Sequence, residues 1–149
     1  MIMSTVLILS TTLVPVAADE PSKEVKEELE RLQGTWILVG RELDGKKANE
    51  EELKTLDGKL IQKGNRFTYT SRGDEAGRRG TFKIDPTANP KQLEWTTMGE
   101  EKRGKVLAIY KLEGDRLTIC AGSGDKRPRE FTTKPGDGQV IIVYQRQKK

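Results

Sequence analysis

The sequence of 149 residues contains no histidine and only one cysteine. Without histidine the chain lacks the commonest general base and the commonest metal ligand. The lone thiol, Cys120, can form neither an internal disulfide nor a thiolate metal cluster. It reads either as a small core hydrophobe within Leu117-Thr118-Ile119-Cys120 or as a free or inter-chain thiol. Aromatic residues make up only 5% of the chain, which leaves little for an aromatic-lined pocket. Charge of one sign is also missing as a block. The 27 basic and 23 acidic residues are interspersed and sum to +4. That pattern fits a solvated surface, whereas a nucleic-acid binder concentrates its charge in a patch or tail.

The remaining polar motifs do not assemble a reaction. Asp74 with Glu75, and Glu100 with Glu101, sit in polar stretches beside Arg and Lys and read as solvated loop charge. Gly122-Ser123-Gly124-Asp125-Lys126 lacks the spacing of a phosphate loop, and Ser123 has no histidine to activate it. Asp137 lies in a Gly-rich turn outside any calcium-loop pattern. The expectation is a protein without catalysis, metal or cofactor, and with no nucleic-acid partner.

What is present begins with a leader. Residues 1–18 carry no charge and centre on the apolar run from Val6 to Val14. The run is too short for a membrane anchor. It ends in Val16-Ala17-Ala18, and Asp19-Glu20-Pro21 opens a polar stretch. This is the pattern of a secretory signal cleaved after Ala18, although no Lys or Arg precedes the run. The expected product is an exported domain, periplasmic or secreted, spanning residues 19–149, with no membrane insertion after signal removal.

The first part of that domain is helical. Val25, Leu29 and Leu32 fall on one face of a helix over Ser22 to Gln33, capped by Ser22 and ended by Gly34. Glu27 and Arg31 are spaced for an i, i+4 pair. A second short helix, Asn49 to Leu56, has Asn49 and Glu52 placed as a capping box, with Gly58 closing it. Everything else reads as strands and turns. The strands are Thr35–Glu42, Lys59–Lys63, Arg66–Ser71, Arg78–Asp85, Gln92–Met98, Lys105–Leu112, Arg116–Ala121, a short Arg129–Thr133 and Gln139–Gln147. After the second helix the strands are joined by short turns with no helix between them, which argues against parallel βαβ units. An all-β, antiparallel up-and-down barrel of about eight strands removes exposed edges and suits this count, with a two-sheet sandwich as the alternative.

The segment Leu32-Gln33-Gly34-Thr35-Trp36 resembles the lipocalin-like superfamily, in which a helix leads into Gly-x-Trp at the first strand. The wider text resembles the uncharacterised lipocalin-like domain abundant in planctomycete bacteria. The similar stretches include Asp44-Gly45-Lys46, Gly80-Thr81-Phe82-Lys83-Ile84-Asp85-Pro86, Ala108 to Asp115 and Lys126 to Phe131. The resemblance spans most of residues 30–146 and implies a barrel and an exported domain, but no particular activity. It also implies that a basic residue near the last strand lies across the Trp. Arg146 is so placed, either stacked on Trp36 or solvated in a basic tail.

Two functional readings follow. In one, the barrel holds a small apolar or amphiphilic molecule, with Tyr69, Trp95 and Tyr110 on its wall. Arg66, Arg72, Arg78, Arg79 and Arg129 would then gather near a mouth, with Arg78 and Arg79 selecting an anionic group. In the other, the same aromatics are plain core, the arginines are surface, and a solid barrel acts through its exterior as an interaction or inhibitor-like protein.

Overall fold

The computed structural model describes residues 20–99 and 104–148. The leader assigned to residues 1–18 lies outside the described residues. The first helix, α1, runs Lys23–Leu32; Ser22 caps it by accepting the Val25 N–H at 3.3 Å. The strands are β1 (Gly34–Leu43), β2 (Lys46–Lys47), β3 (Lys59–Lys63), β4 (Arg66–Ser71), β5 (Asp74–Asp85), β6 (Lys91–Met98), β7 (Gly104–Glu113), β8 (Arg116–Ala121) and β9 (Val140–Arg146). Helix α2 (Glu50–Leu56) lies between β2 and β3.

All pairings are antiparallel, and from β3 to β9 neighbours in sequence are neighbours in space, with β1 pairing β3. β9 returns to β1 over the register Trp36↔Arg146 to Leu43↔Val140, which closes eight strands into a barrel, with β2 as a two-residue flap on β1. Closure settles the choice between barrel and sandwich. It also satisfies the edge groups that an open sheet would expose.

Alternation along each strand sends one set of side chains inward. Trp36, Leu38, Leu60, Phe67, Phe82, Leu93, Tyr110, Leu117, Ile119 and Tyr144 form the buried core. Helix α1 covers the end where β1 starts and β9 finishes, placing Leu32 in that core. This end is the floor. The opposite end, with α2 and the β4–β5 turn, is the mouth.

Several sequence expectations are corrected. Residues Arg129 to Thr133 are not a strand. They belong to an irregular strap, residues 122–139, whose polar groups bond to the outer wall rather than to a ladder. Arg127 donates to the Leu93 carbonyl at 2.8 Å and to the Ala108 carbonyl, and Thr133 donates to Glu42 at 2.9 Å. Under this strap Ile109, Thr118 and Cys120 are buried on the outer side of the wall. The polar segment from Asp74 is strand, not loop, because a bulge between Tyr69 and Ser71 lets β5 extend upward. Helix α2 has its capping box, but Asp57 ends it in a left-handed conformation (φ 45°) rather than Gly58. On α1, Arg31 turns to Glu28 and Glu27 pairs instead with Lys23.

Candidate functional site

The floor is the most thoroughly bonded part of the molecule. Gly34 adopts φ 117°, a value that favours glycine, and a Cβ there would lie 3.3 Å from the Arg146 guanidinium. Trp36 is fully buried and donates its indole N–H to the Leu32 carbonyl at 3.0 Å. The Arg146 guanidinium lies 4.2 Å from the centre of the Trp36 ring, a cation–π stack. It also donates to the carbonyls of Arg31 and Gln33 and, at 3.1 Å, to Asp115. Arg146 therefore supplies donors to carbonyls at the end of α1, which otherwise lack partners. The Gln33 side chain adds a clamp on the β3–β4 turn, accepting from Gly64 N–H at 2.6 Å and donating to its carbonyl at 3.0 Å.

A second floor cluster is centred on Glu28, which is 4% exposed. Its carboxylate accepts from Lys91 Nζ at 2.7 Å and from the Tyr110 hydroxyl at 3.1 Å, and Arg31 stands 3.8 Å away. Burial, reinforced by the neighbouring Glu28 charge, pushes the Tyr110 phenol well above its ordinary range, so it remains a proton donor to Glu28. An open cleft of about 270 Å³ adjoins this cluster, lined by Glu28, Arg31, Lys91, Leu112, Gly114 and Arg146. The cluster pins the helix to the barrel: a buried carboxylate on α1 meets a lysine on β6 and a tyrosine on β7. Sequence reasoning overlooked Glu28 and Lys91. The signal was available, since Glu28 is three residues after Val25 and four before Leu32, on the apolar stripe of α1.

The three residues read as a ligand wall have different environments. Tyr110 is 1% exposed and its hydroxyl is taken by Glu28. Trp95 is partly buried, with its ring 5.9 Å from that of Phe67 at an interplanar angle of 50°. Gly80 makes this contact possible, because a Cβ there would approach the Phe67 ring to 2.8 Å and the Thr96 carbonyl to 2.0 Å. Tyr69 packs at the edge of the core near the mouth, beside Gly58. Two inward polar atoms, Trp95 Nε1 and Gln62 Oε1, are buried without a hydrogen-bond partner among the described residues.

The arginines do not converge. Arg78 shares the inward register of Tyr69, its cross-strand partner, and is exposed at the mouth. Arg79, one residue on, points to the outer wall and pairs across strands with Thr68 and Met98. Arg66 lies near the floor, Arg72 at the β4–β5 turn, and Arg129 on the strap. Strand alternation alone separates Arg78 from Arg79. Cys120 is buried beneath the strap, and burial raises its thiol above the ordinary range, which makes it a core residue of low reactivity. Among the described residues, no three acidic or thiol side chains gather as metal ligands would.

The chain matches no family model and no curated protein.

Proposed function

We propose that the chain is an exported, lipocalin-like binding protein that acts through its outer surface, without catalysis and without enclosing a ligand. The observation that carries this reading is the use of the interior by the protein's own side chains. Tyr110 serves the floor, Phe67 and Trp95 pack on each other, and Trp36 is held by Leu32 and Arg146. The helix leading into Gly34-Thr35-Trp36, with Arg146 on the indole, supports placing the chain among lipocalin-like proteins.

A second reading keeps a small apolar or amphiphilic molecule in the barrel interior. It is favoured by one observation, the buried and unpartnered Trp95 Nε1 and Gln62 Oε1. Buried polar groups ordinarily have partners, so a guest offering both an acceptor and a donor would be held there. Titration with a hydrophobic fluorophore separates the two. The surface reading expects no saturable uptake. Saturable binding at one site per chain, with Trp95 emission shifted more than Trp36 emission in single-Trp variants, overturns it.

A further inference from the structure

We propose that the outer wall of β3 to β7 is a docking face for a linear polysaccharide bearing carboxylate or sulfate groups; this rests on the surface reading above and names its partner.

The face follows from register. Lys63, Arg66, Thr81, Thr96 and Lys105 are successive cross-strand partners and form one continuous outward row. Adjacent strands are about 4.8 Å apart, so the row extends about 19 Å. The next row upward is Ile61, Thr68, Arg79 and Met98. Lys83 stands one step below Thr81 on the same face of β5. The result is a centre of threonine hydroxyls with guanidinium and ammonium groups around it.

The charges on this wall are largely unclaimed by the fold. Among the described residues, Lys63, Arg66 and Arg79 form no salt bridge, whereas Lys105 meets Glu94 at 3.0 Å and Lys83 lies directly opposite the same Glu94. Asp85, the carboxylate two residues beyond Lys83 on the same face of β5, is engaged by Thr87, whose hydroxyl donates to it at 2.6 Å. Lys63 and Arg66 are directly opposite each other, an arrangement of like charges that destabilises a strand pair. The hairpin does not need it, because the Gly64 turn is already held by Gln33. A local cost without local compensation marks a surface kept for something other than the fold.

The chemistry of the face selects the partner. Cations attract an anionic chain, and the threonine hydroxyls between them both donate to and accept from ring hydroxyls. Phe67, Tyr69, Phe82 and Trp95 all belong to the inward set, so the outward rows offer no aromatic platform for stacking bases. Ile61 and Met98 are exposed at 39% and 60%, but Thr68 and Arg79 separate them, so they form no contiguous wedge for a lipid surface.

The test is retention of the purified full-length chain on immobilised heparin and on immobilised polygalacturonate, with neutral dextran as the blank. Retention on both anionic matrices, weakened by salt, and none on dextran is expected. The K63Q/R66Q/R79Q/K83Q variant should lose affinity on the order of tenfold, from four exposed contacts. A variant of equal charge change elsewhere, K46Q/K47Q/K126Q/K134Q, should stay within about twofold of the parent. T81A/T96A should weaken binding without changing its salt dependence. Equal losses in the two charge variants would reduce the effect to net charge and overturn the proposal, as would failure of the parent to bind. Stronger binding to duplex DNA or to phosphatidylglycerol vesicles than to either glycan would reassign the face. The solid-barrel reading fails on fluorophore uptake instead, so each can fail alone.

Discussion

The floor of the barrel and the β3–β7 wall both carry several cationic side chains, yet they use them differently. Around helix α1, three floor cations have structural counterparts. Lys91 and Arg31 face Glu28, and Arg146 is shared among a carboxylate, two helix carbonyls and an indole. On the wall, Lys63, Arg66, Arg79 and Lys83 are exposed to solvent, with Lys63 directly opposite Arg66 and only Lys83 opposite a carboxylate, Glu94. Burial explains the difference. The buried charge at the floor is the Glu28 carboxylate, which is tolerated there only with partners, so the cations around it are placed by folding. An exposed charge is under no such constraint, and its arrangement is free to serve binding. The contrast predicts that floor substitutions act on stability and wall substitutions act on association.

The sharpest test is at the floor. Trp36→Ala should cost about 3–5 kcal/mol, the range for truncating a large buried aromatic. The substitution also orphans the Leu32 carbonyl and leaves Arg146 without its ring. Urea unfolding followed by circular dichroism measures it. A loss below about 1 kcal/mol would mean that the floor is not the organising end of the core. Glu28→Gln should follow at about 2 kcal/mol, because the amide keeps the Tyr110 contact but strands the charge of Lys91. Lys91 is about one-third exposed and can turn to water, which limits the loss.

Much of this contrast was legible in the sequence, and the missing parts share a cause. The capping box of α2, the apolar stripe of α1 and the alternation of β1, β6 and β7 are local signals, and each appears where the residues place it. The strap was misread because Arg129 to Thr133 looks like a strand only while its partners are unknown. Its polar groups find Glu42 and the outer wall, which are distant in sequence. The bulge that extends β5 over Asp74 is likewise a property of the β4–β5 pair and not of either strand. Arg66, Arg72, Arg78, Arg79 and Arg129 share strand ends and loops in the sequence, but opposite ends of the barrel, strand alternation and the strap divide them. The wall escaped notice because its rows run across five strands, so residues as far apart as Lys63 and Lys105 become neighbours only through register.

Raising pH probes the interior side of the comparison. Tyr110 and Tyr144 are both buried, and burial holds both phenols protonated well above their ordinary value of 10.0. The unfolded chain releases those protons near 10 while the folded one keeps them. The folded state therefore binds more protons, and stability must fall as pH rises past that point. Full stability from these groups is expected below pH 10, with progressive loss above it. Tyr110→Phe should flatten part of that alkaline loss, and urea midpoints recorded across the alkaline range would show it. An unchanged alkaline slope in that variant would remove Tyr110 from the account.

The smallest predicted effect has the opposite sign. Lys63→Glu replaces a like-charge pair opposite Arg66 with an attractive one, without touching the Gly64 turn or its Gln33 clamp. Cross-strand pairs of opposite charge contribute about 0.2–1 kcal/mol, and both residues are exposed, so a gain of a few tenths is expected. Differential scanning calorimetry at low salt should record a small rise in Tm that added salt removes. The same substitution should weaken heparin retention. A variant that is more stable and binds less is the behaviour of a residue held for association at the fold's expense. Should Lys63→Glu instead destabilise the hairpin, the charge would belong to the fold after all, and the distinction between floor and wall would fail at its most exposed point.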